Sequence, residues 1–189
     1  ITIVSADDLG EKVAAEYGVR FIRHALTREN HKNVLDPLVG RGDFLLNLSV
    51  DVSSLALVQL CWDKGALYLD TCIEPWAGGY TDPTVSPSRR TNYALRESAL
   101  ALRETKTRAP TAVLTHGANP GLVSHFVKQA MLNIAADTGV EHGDPNTRDD
   151  WARLAHKLGV KTIHIAERDT QVPANPKEPG EFVNTWSVD

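Results

Sequence analysis

Five places in this chain set acids, amides and hydroxyls directly behind a short apolar run. They are Ser5 with Asp7, then Asn47, Ser49 and Asp51, then Asp70, Thr71 and Glu74, then His116 and Asn119, and finally Glu167 with Asp169. Carboxylates prevail among them. Acids gathered around one crevice repel each other, and a cation or a cationic substrate between them relieves that cost; a diamine is such a ligand. Asp and Asn also cap helices from loops of this kind, a reading that weighs most for Asp51, just before Ser53 and Ser54. Glu74 stands before Pro75, which keeps it from starting a helix, and opens onto Trp76 and an aromatic, glycine-rich loop at 77–80. Glu167 follows an apolar run ending at Ala166 and is expected at a sheet edge.

Trp186 sits in Phe-Val-Asn-Thr-Trp. A lone tryptophan is ordinarily a core residue, but an indole face attracts an ammonium by roughly 0.5–2 kcal/mol, so a cationic substrate gives it a second use. Trp62, Trp76 and Trp151 read as packing residues. None of the seven histidines has ligand spacing, and Cys61 and Cys72 form no C-x-x-C pair, so no metal is expected and the thiols read as buried and reduced.

The elements that would position these groups alternate. Strands are expected at 1–4, 19–22, 43–50, 66–71, 111–115 and 161–166, with helices at 9–17, from Thr27 to about Leu38, at 55–64, 88–104 and 123–138, and from Asp149 or Asp150 to Gly159. The run Phe44, Leu45, Leu46, Leu48 does not alternate with polar residues, as in a strand covered on both faces. Strands alternating with helices predict a doubly wound, Rossmann-type α/β fold with a parallel sheet, in which ligands bind beyond the carboxyl ends of the strands. No G-x-G-x-x-G occurs in the chain. If residues 1–4 are the second strand of such a unit, the glycine turn and first strand are expected about 45 residues upstream, the length of a strand, turn and helix.

With 42% hydrophobic and 23% charged residues in 189, the chain suits one folded domain. A net charge of −4 without a basic cluster argues against nucleic acid. No apolar run nears the roughly 18 residues of a membrane span, and no signal peptide is present, leaving the cytoplasm as the default compartment. Ile1 in place of methionine and the apolar run before Asp189 suggest a piece of something longer.

The phrases Asn-Leu-Ser-Val-Asp (47–51), Thr-Asn-Tyr-Ala-Leu-Arg-Glu (91–97), His-Gly-Ala-Asn-Pro-Gly (116–121) and Ile-Ala-Glu-Arg-Asp-Thr-Gln (165–171) resemble the bacterial homospermidine synthase family, and the likeness extends over nearly the whole chain. That family is similar in fold to saccharopine dehydrogenase, with a Rossmann domain and a second domain that dimerises. The resemblance implies that 1–171 is a partial NAD-binding domain truncated at its N-terminus, and that 172–189 begins the connection into a second domain that is mostly missing. It also implies a homodimer through that domain, and bound NAD that is reduced and reoxidised in one turnover. Putrescine would be oxidised, lose ammonia and be joined to a second putrescine, or to spermidine in its place.

Hydride leaves a carbon bearing nitrogen only when that nitrogen is neutral, so the site needs a base. Glu167 is the candidate for orienting and deprotonating the amine, Asn119 for bonding the same nitrogen or the nicotinamide amide, Asp51 and Glu74 for holding distal ammonium groups, and Trp186 for covering cationic intermediates. Leu48, Ser49, Thr71, Asn119 and Pro120 occupy loops that in the family lie against the cofactor. Ser5 stands where the family places an acid for the adenosine ribose; Asp7 is the substitute, which leaves NAD against NADP open. A saccharopine or carboxynorspermidine dehydrogenase is the competing enzyme, but its substrate carboxylate calls for arginine, and only Arg168 is nearby. A non-catalytic nucleotide-binding fragment is the reading from another class.

Overall fold

The computed structural model describes residues 1–105, 108–168 and 175–181, which fall into two units, Ile1–Gly121 and Leu122–Asp189. The first alternates strand and helix: β1 (Thr2–Ser5), α1 (Glu11–Glu16), β2 (Arg20–Arg23), α2 (His31–Leu35), β3 (Phe44–Asn47), α3 (Ser54–Lys64), β4 (Leu67–Asp70), α4 (Asn92–Glu104) and β5 (Ala112–Val113). Helix α3 has sharp limits because its ends are satisfied. The Ser53 hydroxyl accepts from Ala56 N, and Gly65 closes the helix in the left-handed conformation that a side chain would oppose. Helix α4 starts later than its periodicity predicts, because Thr91 caps it, and a 3-10 turn at Pro87–Arg89 takes the residues before it.

Every strand pairing among the described residues is parallel, as expected of crossover connections. The strands form two sheets, β1–β2 and β3–β4–β5, with no ladder joining β1 to β3.

Side chains alternate across β3 and β4. One face carries Tyr68, 1% exposed, against Leu57, Val58 and Cys61 of α3, each 2% exposed or less, and burying a leucine or valine there contributes about 1.5–3 kcal/mol. The other face of the same sheet carries Phe44, Leu46, Leu67 and Val113, between 38% and 57% exposed.

The second unit contains α5 (Leu122–Thr138) and α6 (Arg148–Lys157), joined through Met131, Ala135 and Leu154. Thr147, rather than Asp149 or Asp150, caps α6; Asp150 returns the bond from the third helical position, completing a capping box. Trp151 packs there with the Lys128 ammonium 5.2 Å from its ring. The strand expected at 161–166 does not form. An extended segment becomes a strand only against a partner, and the described residues of this unit offer none; Ile163 and Ile165 are 55% and 43% exposed. No helix among the described residues is long and apolar enough to cross a membrane.

Candidate active site

Asn47 pairs with Asp70 in the parallel ladder, so β3 and β4 end side by side, and β5 runs along the other side of β4. Three loops leave these ends, and hydrogen bonds fix each of them. After β4, Glu74 N donates to the Ser54 hydroxyl at 3.0 Å, while Ser54 N donates to Glu74 O at 2.9 Å. That exchange pins 72–74 against the start of α3. Ser53 is the α3 cap, so Asp51 is not spent on that role; it adopts a left-handed conformation, φ 62°, and is exposed.

After β5 the chain turns at Thr115, φ 59°. A β-branched residue rarely adopts this conformation, and the strain is on the order of 1–3 kcal/mol. His116 N then donates to Asp70 O at 3.0 Å. The loop closes on itself through Gly117 N donating to Pro120 O at 3.0 Å, with a cis peptide between Asn119 and Pro120. Gly117 is seated on the β4 loop: a Cβ there would lie 2.9 Å from Thr71 O. Gly121, φ 131°, has no room either, since a Cβ would run into the Gly117 backbone. Two glycines thus let Thr71 and Asn119–Pro120 share one place.

Ser49, Thr71, Glu74, Asn119 and Pro120 therefore stand around the carboxyl ends of three adjacent strands. Leu48, Ser49, Asn119 and Pro120 are exposed, Thr71 is half-buried and Glu74 is 7% exposed. Asp7 lies at the end of β1, in the other sheet, where its Oδ1 accepts from the Ser5 hydroxyl at 3.2 Å and from Leu9 N at 3.0 Å. Glu167 belongs to the second unit and is exposed on a segment without strand pairing. Trp186 and Asp169 lie outside the described residues.

Beneath the crevice is a polar group whose role the sequence reading passed over. Asp70 is 0% exposed, and its Oδ2 accepts from the Tyr68 hydroxyl at 2.9 Å. Burial pushes the Asp70 carboxyl up, while bonds from Thr115 N, Ser54 and Tyr68 pull it back down. Tyr68 is pushed up by burial and by the charge of Asp70. The sequence carried one signal for this: Tyr68 and Asp70 alternate on the buried face of an otherwise apolar strand, opposite Leu45 and Asn47. Among the described residues, no group of three or more His, Cys, Asp or Glu is arranged to hold a metal.

Residues 1–114 match the family model described as the saccharopine dehydrogenase NADP binding domain. Over the whole chain, the sequence is 53% identical to a homospermidine synthase of Blastochloris viridis and 46% identical to one of Mesorhizobium japonicum. The chain spans 40% of the length of each of these relatives. A crystal structure of the homospermidine synthase of Legionella pneumophila in complex with NAD superposes with a TM-score of 0.79 at 48% identity, over 98% of this chain and 38% of that one.

Proposed function

This chain belongs to the saccharopine dehydrogenase NADP-binding-domain family, and from that premise we propose that it is the NAD-binding part of a homospermidine synthase. The observation that carries the reading is the meeting of Ser49, Thr71 and Asn119–Pro120 at the carboxyl ends of β3, β4 and β5, with the buried acid Glu74 beside them. This donor set fits the nicotinamide and its ribose: two hydroxyls, a carboxamide and loop backbone on a sheet whose order suits such a ligand. The Legionella relative was crystallised with NAD, and NAD is the dinucleotide proposed here, with Asp7 as the acid for the adenosine ribose.

When bound, NAD supplies the hydride acceptor that later returns the hydride. The chain's own residues do the rest. Asp51 and Glu74 hold the distal ammonium groups, away from the reacting nitrogen. Glu167 takes the proton from the reacting amine so that its nitrogen is neutral when hydride leaves the adjacent carbon. Asn119 fixes that nitrogen by hydrogen bonding, and the Trp186 ring covers the cationic imine. Ammonia departs, the amine of a second putrescine, or of spermidine, takes its place, and reduction gives the polyamine.

The domain boundary is placed at 171/172, with 172–189 leading into a second domain through which the complete protein forms a homodimer in the cytoplasm, without nucleic acid or membrane as partner. Because the chain contains no G-x-G-x-x-G, these 189 residues alone are expected to be inactive. The test is to supply the complete protein with putrescine and NAD and to measure homospermidine and ammonia. Activity only with a keto acid and NADPH would replace the reading with a saccharopine-type reductase. Glu167→Gln should cut turnover by about 10²- to 10⁴-fold with substrate binding partly kept; near-normal turnover removes Glu167 from its role.

A further inference from the structure

A hydrogen-bonded file of buried side chains runs beneath the crevice from one cofactor loop to another. Ser49 donates from both N and Oγ to Asn47 Oδ1, at 3.1 and 2.5 Å. Asn47 Nδ2 donates to the Tyr68 hydroxyl at 3.1 Å, and the Tyr68 hydroxyl donates to Asp70 Oδ2 at 2.9 Å. Asp70 Oδ1 accepts from Thr115 N at 2.5 Å. Asn47, Tyr68 and Asp70 are 6%, 1% and 0% exposed, so water does not compete for the two bonds that join them.

Only a carboxylate fills the last place in full. It accepts at both oxygens at once, whereas the amide of an asparagine would turn a donor towards Thr115 N or towards the Tyr68 hydroxyl. The bond it makes to Thr115 N is charge-assisted and falls on the one residue of this loop whose side chain opposes its backbone conformation. Asp70 also accepts His116 N through its own carbonyl. Side chain and main chain of one residue thus hold the two positions that aim 117–121 at Thr71.

We propose that Asp70 is a positioning residue for dinucleotide binding, acting through Thr115 on the Asn119–Pro120 loop and through Tyr68 and Asn47 on Ser49. The proposal rests on the reading of these loops as the NAD site. Asn47, Tyr68 and Asp70 contribute no atom to the ligand and set the separation of the two loops that touch it, so breaking the file loosens both loops together.

In the complete enzyme, Asp70→Asn should raise the NAD dissociation constant measured by calorimetry about tenfold, because NAD must then order loops that the file no longer holds in place. Amide hydrogen exchange without NAD should quicken at 115–121 and at 48–50 together. The KM for putrescine at saturating NAD should stay close to that of the unaltered enzyme, a split that general destabilisation would not give. Tyr68→Phe, which removes only the hydroxyl, supplies the same comparison if Asp70→Asn fails to fold, with a smaller loss of NAD affinity. Unchanged NAD affinity in a folded variant, whatever its melting temperature, overturns the proposal and leaves the file a core feature. An unaltered enzyme that does not bind NAD at all fails the dinucleotide reading itself and takes the proposal with it, an outcome distinguished by being visible before any substitution is made.

Discussion

Glu74 is 7% exposed, and the neighbouring Cys72 registers its charge. The Cys72 thiol is pushed up to about 11, first by burial and then by the negative charge and hydrogen bonding of Glu74, with a further contribution from Asp70. At pH 8 such a group is thiolate about one part in a thousand, so it reacts slowly. Removing the charge should lower that value: in the complete protein, Glu74→Gln is expected to speed alkylation of Cys72 by iodoacetamide at pH 8 about two- to tenfold. Cys61, also pushed up to about 11 but by burial alone, is 0% exposed and should stay unalkylated in both forms, which checks that the substitution has not opened the fold. An unchanged Cys72 rate would mean that Glu74 is not ionised in the folded protein, and an acid that is neutral cannot hold an ammonium group.

The element on which the site turns is the loop between β5 and α5, and its two glycines have unequal work. Gly117 meets Thr71 O, a contact between loops, whereas Gly121 combines φ 131° with contact to the Gly117 backbone inside the loop. Gly121→Ala is therefore strained both by its conformation and by its neighbour. In the complete enzyme it should displace Asn119, abolish measurable NAD binding by calorimetry and lower the melting temperature, since Gly117 and Gly121 are half-buried and their backbones have no room to part without moving the loop. Retained NAD affinity would place the cofactor elsewhere.

Much of this element was readable beforehand. Glycine and proline at 117–121 announced a turn into a helix, and the apolar runs announced β1 to β5 in order. The left-handed Thr115 was not readable, because a β-branched residue is the last type expected there and only the bond from its N–H to Asp70, 45 residues away, explains it. Nor was the seat of Gly117 on Thr71, which depends on how β5 aligns with β4. The apolar run at 161–166 misled for the same reason: strand formation lies in the partner, which local sequence does not contain.

At the scale of the whole molecule, the first unit by itself covers one face of the β3–β4–β5 sheet with α3 and leaves apolar side chains half-exposed on the other. Tyr68 and the residues of α3 close one side, while Phe44, Leu46, Leu67 and Val113 form an apolar set on the other. Runs without polar alternation belong to strands buried on both faces, and the chain spans 40% of the length of its homospermidine synthase relatives. The remaining protein is thus expected to cover this face, and a comparison of one substitution in two settings decides it. Leu46 is 50% exposed here, so in the isolated 189 residues Leu46→Ala should cost well under the roughly 2–5 kcal/mol typical of a fully buried leucine. In the complete enzyme the same substitution should reach that range, read from denaturant unfolding of both forms. Equal small costs would mean that solvent meets this face in the complete protein as well. The layered architecture argued for the site would then lack one of its layers, and the loops at the strand ends would rest on a sheet held from a single side.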